Sequence, residues 1–430
     1  MHHHIRTALA ACCACFTFLP CHAGTQIPPQ SDSLLADRLR NEEGVTFTHD
    51  NNVTLLMNGQ KKFDDMFAAI RQARKSVHLE YFNFRNDSIA MLLFDILAEK
   101  VKDGVEVRAL FDAFGNSSNN RPLKSRHIDS IRARGIQLYE FDPIRFPWVN
   151  HIFGRDHRKI VVIDGCVAYT GGMNVADYYI NGTPQVGEWR DMHCRLEGSE
   201  VNTLQRIFLR AWEKVTGERI DGEQYFCAAN ATLRYDSLRQ NGFPTAHNMM
   251  CGIVNREPGR SPAVMRNFYC HAIDCAKDTI RLVNPYLTLI PKVRRAIERA
   301  VKRGVTVQIM VAEPSDVPLT PDCVFYNVNR LQKKGCQVWI YKPGFHHTKI
   351  IMVDGRFCTV GSANLDARSL KCDYEENVAI IDPYVTRQLT EMFEKDKEAS
   401  FQLADGVYRQ WRTPWQRFRG WFAHLLSPFL

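Results

Sequence analysis

Two short segments of the chain carry the same reactive residue types at the same spacing. They read HRKIVVIDGCVAYTGGMN and HTKIIMVDGRFCTVGSAN, and in both the order is H-x-K-x4-D followed ten residues later by asparagine. A match of four polar residue types in two places predicts a duplicated half-site rather than two unrelated core histidines. The residues are His157, Lys159, Asp164 and Asn174 in the first segment and His347, Lys349, Asp354 and Asn364 in the second.

This set of side chains suits the cleavage of a phosphodiester. The reaction needs an activated nucleophile, a proton for the leaving alcohol and positive charge around the phosphate oxygens. One histidine can attack phosphorus and form a phosphoryl-enzyme, while the other protonates the leaving oxygen and then deprotonates the acceptor. Two lysines and two asparagines can hold the phosphate oxygens without a metal ion or cofactor. We therefore predict that the two segments face each other across one phosphorus atom.

Strand geometry explains the spacing within each segment. Residues two apart on a strand point to the same face, so the histidine and lysine of each segment project together. The following Asp-Gly pairs, at Asp164 and Asp354, also indicate a hairpin turn. Each aspartate thus either belongs to the catalytic set or shapes the turn, and the sequence leaves both interpretations open. The glycine-rich stretches before Asn174 and Asn364 are typical of a strand-to-helix turn whose N–H groups bind phosphate.

The elements around these segments are also duplicated. In each half a predicted strand and helix are followed by two more strands, and the glycines that open those strands, Gly104 and Gly135, recur 200 residues later as Gly304 and Gly335. Strands that alternate with helices indicate parallel β-α-β units. We predict two similar α/β domains, with the active site between them. Their expected bounds are 44–226 and 248–400, joined by a polar linker at 227–247.

The two ends of the chain differ from this body. An apolar stretch, Thr7–Leu19, follows Arg6 and precedes a small-residue site at Ala23, so residues 1–23 are predicted to be an export signal peptide. A retained anchor is the alternative. At the other end, residues 407–430 predict a basic aromatic helix that begins at Pro414 and lies on a membrane surface. Packing of this helix on the protein is the alternative. Its apolar stripe comprises Trp411, Trp415, Phe418, Phe422 and Leu425.

Charge and cysteine usage exclude some classes of function. The net charge is +8, and four arginines of the tail (Arg409, Arg412, Arg417 and Arg419) account for half of it. The body is therefore too weakly basic for a nucleic-acid binder. None of the cysteines after the leader forms a C-x-x-C pair, so a zinc site is not expected, and disulfide pairing stays open.

The two motifs resemble the signature of the phospholipase D superfamily, and further segments resemble bacterial cardiolipin synthases. These segments include HLEYFNFRND, GGMNVADYY, EWRDMHCRLEG, GSANLDARSL and LLSPFL. The resemblance implies a covalent phosphohistidine at His157, with His347 as the acid and base. It also implies that Asp191 orients His157 and that Glu375 orients His347, with Glu376 as an alternative one position away.

The same resemblance implies a function. We expect a phosphatidyltransferase that joins two phosphatidylglycerols with release of glycerol, using no cofactor and no metal. An exported phospholipase D that transfers the same intermediate to water is the alternative, and a superfamily nuclease is less favoured because the body is weakly basic. The expected partners are a phospholipid substrate and a membrane surface, without nucleic acid. The expected location is the bacterial cell envelope, with peripheral membrane attachment.

Overall fold

The computed structural model describes residues 30–147, 152–227, 245–318 and 320–426. The predicted signal peptide lies outside these residues. The two halves share a succession of seven strands, to which each half adds short strands of its own, and each predicted strand of the repeat is present. The first half contains β1 (Thr48–Leu56), β2 (Ser76–Tyr81), β3 (Glu106–Asp112), β4 (Gln137–Phe141), β5 (Ile160–Ile163), β6 (Val167–Gly171), β7 (Glu188–Arg190) and β8 (His193–Glu197). The second contains β9 (Thr245–Arg256), β10 (Thr279–Val283), β11 (Thr306–Ala312), β12 (Gln337–Tyr341), β13 (Gly344–His346), β14 (Ile350–Val353), β15 (Phe357–Gly361), β16 (Glu375–Ile381) and β17 (Ser400–Gln402).

The strand order confirms the duplication. Across the first half it is β4-β3-β2-β5-β6-β8-β1, and across the second it is β12-β11-β10-β14-β15-β16-β9, with β17 added at the edge. In both halves the first three strands are parallel and the others are antiparallel. β1 pairs antiparallel with β9, so one sheet of 15 described strands runs through both halves. The predicted linker lies mostly outside the described residues, and its last three residues belong to β9.

Helices cover the outer faces of the sheet. Several begin at a side-chain cap: the Asp87 carboxylate accepts from the N–H of Ala90 at the start of α3, and Asp382 accepts from Val385 at the start of α12. The helices are α1 (Gln30–Glu43), α2 (Gly59–Arg71), α3 (Ser88–Lys102), α4 (Ala113–Ser118), α5 (Ser125–Arg132), α6 (Tyr178–Asn181), α7 (Ser199–Thr216), α8 (Val264–Cys275), α9 (Pro291–Lys302), α10 (Thr320–Gln332), α11 (Ala367–Lys371), α12 (Pro383–Glu398), α13 (Val407–Trp411) and α14 (Pro414–Leu426).

The inner faces of the two halves share one apolar core. Alternate residues of β5 point to opposite sides: Val161 packs toward the helices of the first half, whereas Ile160 joins a buried cluster that also contains Ile350 and Val378 of the second half. The continuous sheet therefore folds so that its halves pack face to face. This packing brings the segments before β5 and β14, which carry the two histidines, to the same region.

The C-terminal tail forms the predicted helix, which begins at Pro414. One face of α14 packs on α10, where Gly420 is so close that a Cβ would lie 2.3 Å from the carbonyl oxygen of Asp322. The carboxylate of Asp322 also binds the guanidinium groups of Arg412 and Arg419. The ring of Trp411 packs on that of Phe325, so the prediction that Trp411 belongs to the apolar stripe of the tail helix is wrong. The remaining stripe residues are exposed.

Candidate active site

Backbone hydrogen bonds between the halves position the two histidines. β13 of the second half pairs in parallel with β7 of the first, and the N–H of His347 continues this pairing by donating to the carbonyl oxygen of Arg190 at 2.7 Å. In the matching place, Asp156 forms a β-bridge with Tyr374, and the N–H of His157 donates to the Tyr374 carbonyl at 3.0 Å. Each histidine is thus attached to the strand segment of the opposite half.

The carboxylates bound to the histidines follow the same crossed arrangement. His157 Nδ1 lies 3.0 and 3.1 Å from the two carboxylate oxygens of Glu375, and His347 Nδ1 lies 2.7 Å from Asp191 Oδ2. The prediction that Asp191 orients His157 and Glu375 orients His347 is therefore wrong in its pairing. The reason is that Asp191 follows β7 and Glu375 follows Tyr374, the two segments that bind the histidine of the other half.

Burial controls the charge of this cluster. Burial lowers the pKa of His157, Glu375 opposes the shift by its charge, and Lys159 and Lys349 lower the pKa further. Burial and the charge of Lys349 lower the pKa of His347 to about 4. Burial alone would raise the pKa of Glu375, but its interactions with His157 bring it to about 2. At neutral pH each imidazole is neutral, with Nδ1–H directed at an anion and Nε2 available.

The two predicted lysines lie beside the histidines. Each ammonium group donates to the backbone carbonyl oxygen of its own histidine, Lys159 to His157 and Lys349 to His347. Burial lowers the pKa of both lysines, to about 8 for Lys349, whose pKa Lys159 also lowers across the halves. Within the described ranges, neither ammonium forms an ion pair with a carboxylate. A bound phosphate would supply the missing negative charge.

The two predicted asparagines occupy matched turns after β6 and β15. Asn364 is buried, and its Oδ1 has no hydrogen-bond partner in the described part of the chain. Asn174 is also buried, and its Oδ1 accepts from the N–H of Asn83 at 3.4 Å, which is a long bond. A phosphate oxygen accepts hydrogen bonds, so the NH2 group of each amide is the part that could bind it. The NH2 group of Asn174 makes one long hydrogen bond, to the Tyr179 hydroxyl at 3.5 Å, and therefore keeps a donor for a phosphate oxygen.

The two aspartates of the motifs bind backbone instead. Asp164 accepts from the N–H groups of Arg74, Lys75 and Ser76, at the start of β2. Asp354 accepts in the same way from the three residues that lead into β10. Both aspartates also have a positive φ of 51°, as turn residues do. They follow β5 and β14, at the opposite ends of these strands from the histidines. The inclusion of Asp164 and Asp354 in the catalytic set is therefore corrected to a turn-forming role.

Sequence reasoning missed the aromatic side chains around His347. The rings of Phe345, Trp189 and Tyr286 lie with their centroids 5.3, 5.6 and 5.8 Å from that of the imidazole. The His157 imidazole lies against the ring of Phe82, with the ring centroids 4.9 Å apart. Only Phe345, two residues before His347, gave a local signal, because the other two rings come from distant parts of the chain. The three aromatic rings surround His347 with apolar atoms, which helps to explain why burial lowers the pKa of His347 so far.

Comparison with protein families matches the two halves separately. The family model described as cardiolipin synthase, PLD-like domain, matches residues 66–212 and 269–397. A probable cardiolipin synthase of Bacillus subtilis, YwiE, is 35% identical over 88% of this chain and 72% of its own length. A cardiolipin synthase of Oceanobacillus iheyensis is 34% identical over 91% of this chain and 78% of its own length.

A solved structure has the same overall fold. The phosphatidylserine synthase of Haemophilus influenzae superposes with a TM-score of 0.70 over 93% of this chain and 100% of its own. The identity of 15% limits this likeness to the fold.

Proposed function

Because this chain belongs to the phospholipase D-like family of cardiolipin synthases, we propose that it is a phosphatidyltransferase that joins two phosphatidylglycerols and releases glycerol. The observation that carries this proposal is that two His–Lys pairs, one from each half, lie close enough to shift each other's pKa values, with an anionic carboxylate behind each imidazole. This arrangement provides what an in-line displacement at a phosphodiester requires.

In the proposed first step, His157 Nε2 attacks the phosphorus of one phosphatidylglycerol. Its lone pair is available because Nδ1–H is held by Glu375. The bond between phosphorus and the glycerol oxygen breaks, and His347 gives that oxygen a proton. His347 Nε2 takes up this proton from solvent when the substrate binds, because the negative phosphate raises the pKa of the imidazole. Lys159, Lys349 and the two asparagines hold the phosphate oxygens.

The second step reverses the proton transfer. His347, now neutral, takes the proton of a glycerol hydroxyl on a second phosphatidylglycerol, and the resulting oxygen attacks phosphorus. The bond to His157 breaks, and cardiolipin leaves. In this step Glu375 stabilises the positive charge that the phosphorylated imidazole carries.

Product analysis tests this function. Purified enzyme is given phosphatidylglycerol labelled in its glycerol headgroup, in detergent micelles with a chelator present. Cardiolipin and free glycerol in equal amounts are the expected products. Phosphatidic acid without cardiolipin would show that water is the acceptor, and complete loss of turnover on addition of chelator would contradict a mechanism without metal.

We further propose that α14 attaches the enzyme to a membrane surface. Trp415, Phe418 and Leu425 are 63, 50 and 53% exposed, although they are large and apolar. The opposite face of α14 is already packed on α10, so the exposed face is not required for folding of the tail. No helix in the described ranges is long and apolar enough to cross a membrane. Aromatic side chains beside arginines suit the headgroup layer of an anionic bilayer.

Replacing the exposed face by serine, as Trp415→Ser, Phe418→Ser and Phe422→Ser together, is expected to weaken vesicle binding about tenfold or more. Binding is measured by co-sedimentation with phosphatidylglycerol vesicles, in a His157→Ala background so that the lipid is not consumed. A matched control, Leu92→Ser with Tyr384→Ser, removes apolar side chains of similar exposure elsewhere. If both variants bind the vesicles equally well, the exposed face of α14 does not contribute to membrane binding, and the tail only packs on the protein.

A disulfide supports the proposed location in the cell envelope. Cys166, in the turn between β5 and β6, is bonded to Cys227 after α7. Disulfides persist in oxidising compartments and are rare in the cytosol. The sequence left this pairing open, and the eight other cysteines in the described ranges are free and at least half-buried.

Alkylation in intact cells tests the location. In the wild type, a maleimide polymer is expected to modify two more cysteines after reduction than before it. The Cys166→Ser/Cys227→Ser variant should show the same number of modified cysteines in both samples. Modification of both cysteines without any reductant would contradict maturation in an oxidising compartment.

A further inference from the structure

The carboxylate behind His157 is supported by groups that the carboxylate behind His347 lacks. The strand registers make the two halves comparable: Gly171 pairs with His193, and Gly361 pairs with Asn377. Counting back from these pairs, Asp191 corresponds to Glu375. The next residues differ, since Met192 in the first half corresponds to Glu376 in the second.

A second difference lies in the turn beside each carboxylate. The first half has Gly172 where the second has Ser362. A Cβ on Gly172 would lie 2.3 Å from Asp191 Oδ1, so no side chain fits there. The Ser362 hydroxyl, in contrast, contacts both Glu375 and Glu376. All three of these residues are completely buried.

The hydrogen-bond geometry determines where the protons lie. Ser362 Oγ has one proton and is closest to Glu375 Oε2, which accepts it. Ser362 Oγ then accepts from the Glu376 N–H at 3.0 Å, and Glu376 Oε2 lies 3.1 Å from the same oxygen. The same oxygen also lies 3.2 Å from the carbonyl oxygen of Glu376, which has no proton to give. A hydrogen bond between Ser362 Oγ and Glu376 Oε2 requires a proton on one of these two atoms. Since the serine proton is already committed to Glu375, this proton has to belong to Glu376.

The other oxygen of Glu376 agrees with a neutral carboxyl group. Oε1 accepts from Thr170 Oγ1 at 2.6 Å and from the N–H of Lys159 at 3.4 Å. One oxygen therefore accepts two hydrogen bonds while the other donates one, which satisfies a protonated carboxyl group completely. Burial raises the pKa of Glu376 to about 8, against the opposing effects of Thr170 and Lys159.

We propose that Glu376 is a protonated positioning residue, and that Glu376, Ser362 and Glu375 form a hydrogen-bonded chain that orients His157 and has no counterpart at His347. The inference rests on the proposed function, because it takes His157 as the attacking group. Glu376 donates to Ser362, Ser362 donates to Glu375, and Glu375 accepts from His157 Nδ1. Glu375 thereby stays anionic and fixed in direction, which keeps Nε2 in line with phosphorus.

The chain predicts a characteristic dependence on pH. A raised pKa means that the protonated Glu376 is retained up to about pH 8 and lost above it. Ionisation removes the donor to Ser362 and adds a second negative charge beside Glu375, so kcat falls. Lys349 titrates in the same range, and a comparison of variants that all keep Lys349 separates the two groups. The titratable and charged groups that act on Glu376 or respond to its charge are Lys159, Arg158, Glu375, Glu80, Tyr81 and Cys194.

Three variants of the full chain test the proposal, with glycerol release from phosphatidylglycerol measured between pH 6 and 9.5. Glu376→Gln keeps a donor to Ser362 and cannot ionise, so it should retain kcat near neutral pH and decline less than wild type above pH 8. Glu376→Met, the residue found in the other half, and Ser362→Ala should each lower kcat by about tenfold or more with KM nearly unchanged. Thr359→Val, which removes a buried hydroxyl bonded to Asn377, is the matched control and should keep the wild-type pH profile.

Each outcome supports or contradicts the chain. Equal kcat and pH profile in wild type, Glu376→Met and Ser362→Ala would overturn it, as would a Glu376→Gln variant as impaired as Glu376→Met. If thermal unfolding shows that Glu376→Met does not fold, the kcat and pH profile of Ser362→Ala and Glu376→Gln still test the chain. Absence of glycerol release by the wild-type enzyme would instead contradict the proposed function.

Discussion

Replacing His157 with alanine is expected to abolish the covalent phosphoenzyme and to lower kcat by about 10⁴-fold or more, because it removes the nitrogen that attacks phosphorus in the proposed mechanism. Phosphatidylglycerol labelled with ³²P is mixed with the enzyme, quenched in denaturant at alkaline pH and separated by gel electrophoresis. Wild-type enzyme should retain label, and His157→Ala should not. His271→Ala, which changes a histidine of α8 bonded to Glu43 of α1, is the control. Label at the wild-type level in His157→Ala would show that the nucleophile is assigned wrongly.

The leaving group distinguishes the roles of the two histidines. A phosphodiester with p-nitrophenol as leaving group does not need a proton from the enzyme. His347→Ala should therefore form the phosphoenzyme from this substrate almost as fast as wild type, although it is severely impaired on phosphatidylglycerol. His157→Ala should fail with both substrates. Equal rescue of the two variants would contradict the division into nucleophile and acid.

Exchanging Asp191 for asparagine is expected to impair His347, not His157, and to lower kcat on phosphatidylglycerol by roughly 10²- to 10⁴-fold, since an imidazole without its anion takes the wrong tautomer. The defect should disappear largely with the p-nitrophenyl substrate, as in His347→Ala. Glu375→Gln should resemble His157→Ala and show no rescue. These variants separate the crossed pairing in the structure from pairing within each half, which predicts the opposite result.

Sequence patterns predicted the repeat and the meeting of the two motifs because both depend on local information. The continuous apolar runs in KIVVI and KIIMV predict buried strands directly after the lysines, and the recurring glycines mark equivalent turns. The crossed carboxylates depend instead on the pairing of β7 with β13, whose residues are more than 150 positions apart. No local pattern reports such a contact.

Other outcomes depended on contacts that single segments do not encode. Asp164 and Asp354 resembled catalytic acids because they belong to the motif, but their carboxylates are occupied by backbone N–H groups of β2 and β10. Trp411 fitted the helical spacing of the exposed stripe, yet α13 ends there and the indole packs inward. Ser362 and Glu376 were visible in the sequence, although their importance depends on the three-dimensional comparison with Gly172 and Met192.

The crossed hydrogen bonds also have an evolutionary consequence. A polypeptide containing one repeat would carry a histidine and a lysine, but the carboxylate it contains would be directed away from its own imidazole. Two identical copies related by a twofold axis would exchange these carboxylates and complete two equivalent histidine sites. We therefore expect a protein with a single repeat to need dimerisation for activity. In this chain the two copies are joined and differ at equivalent positions, as Met192 and Glu376 illustrate.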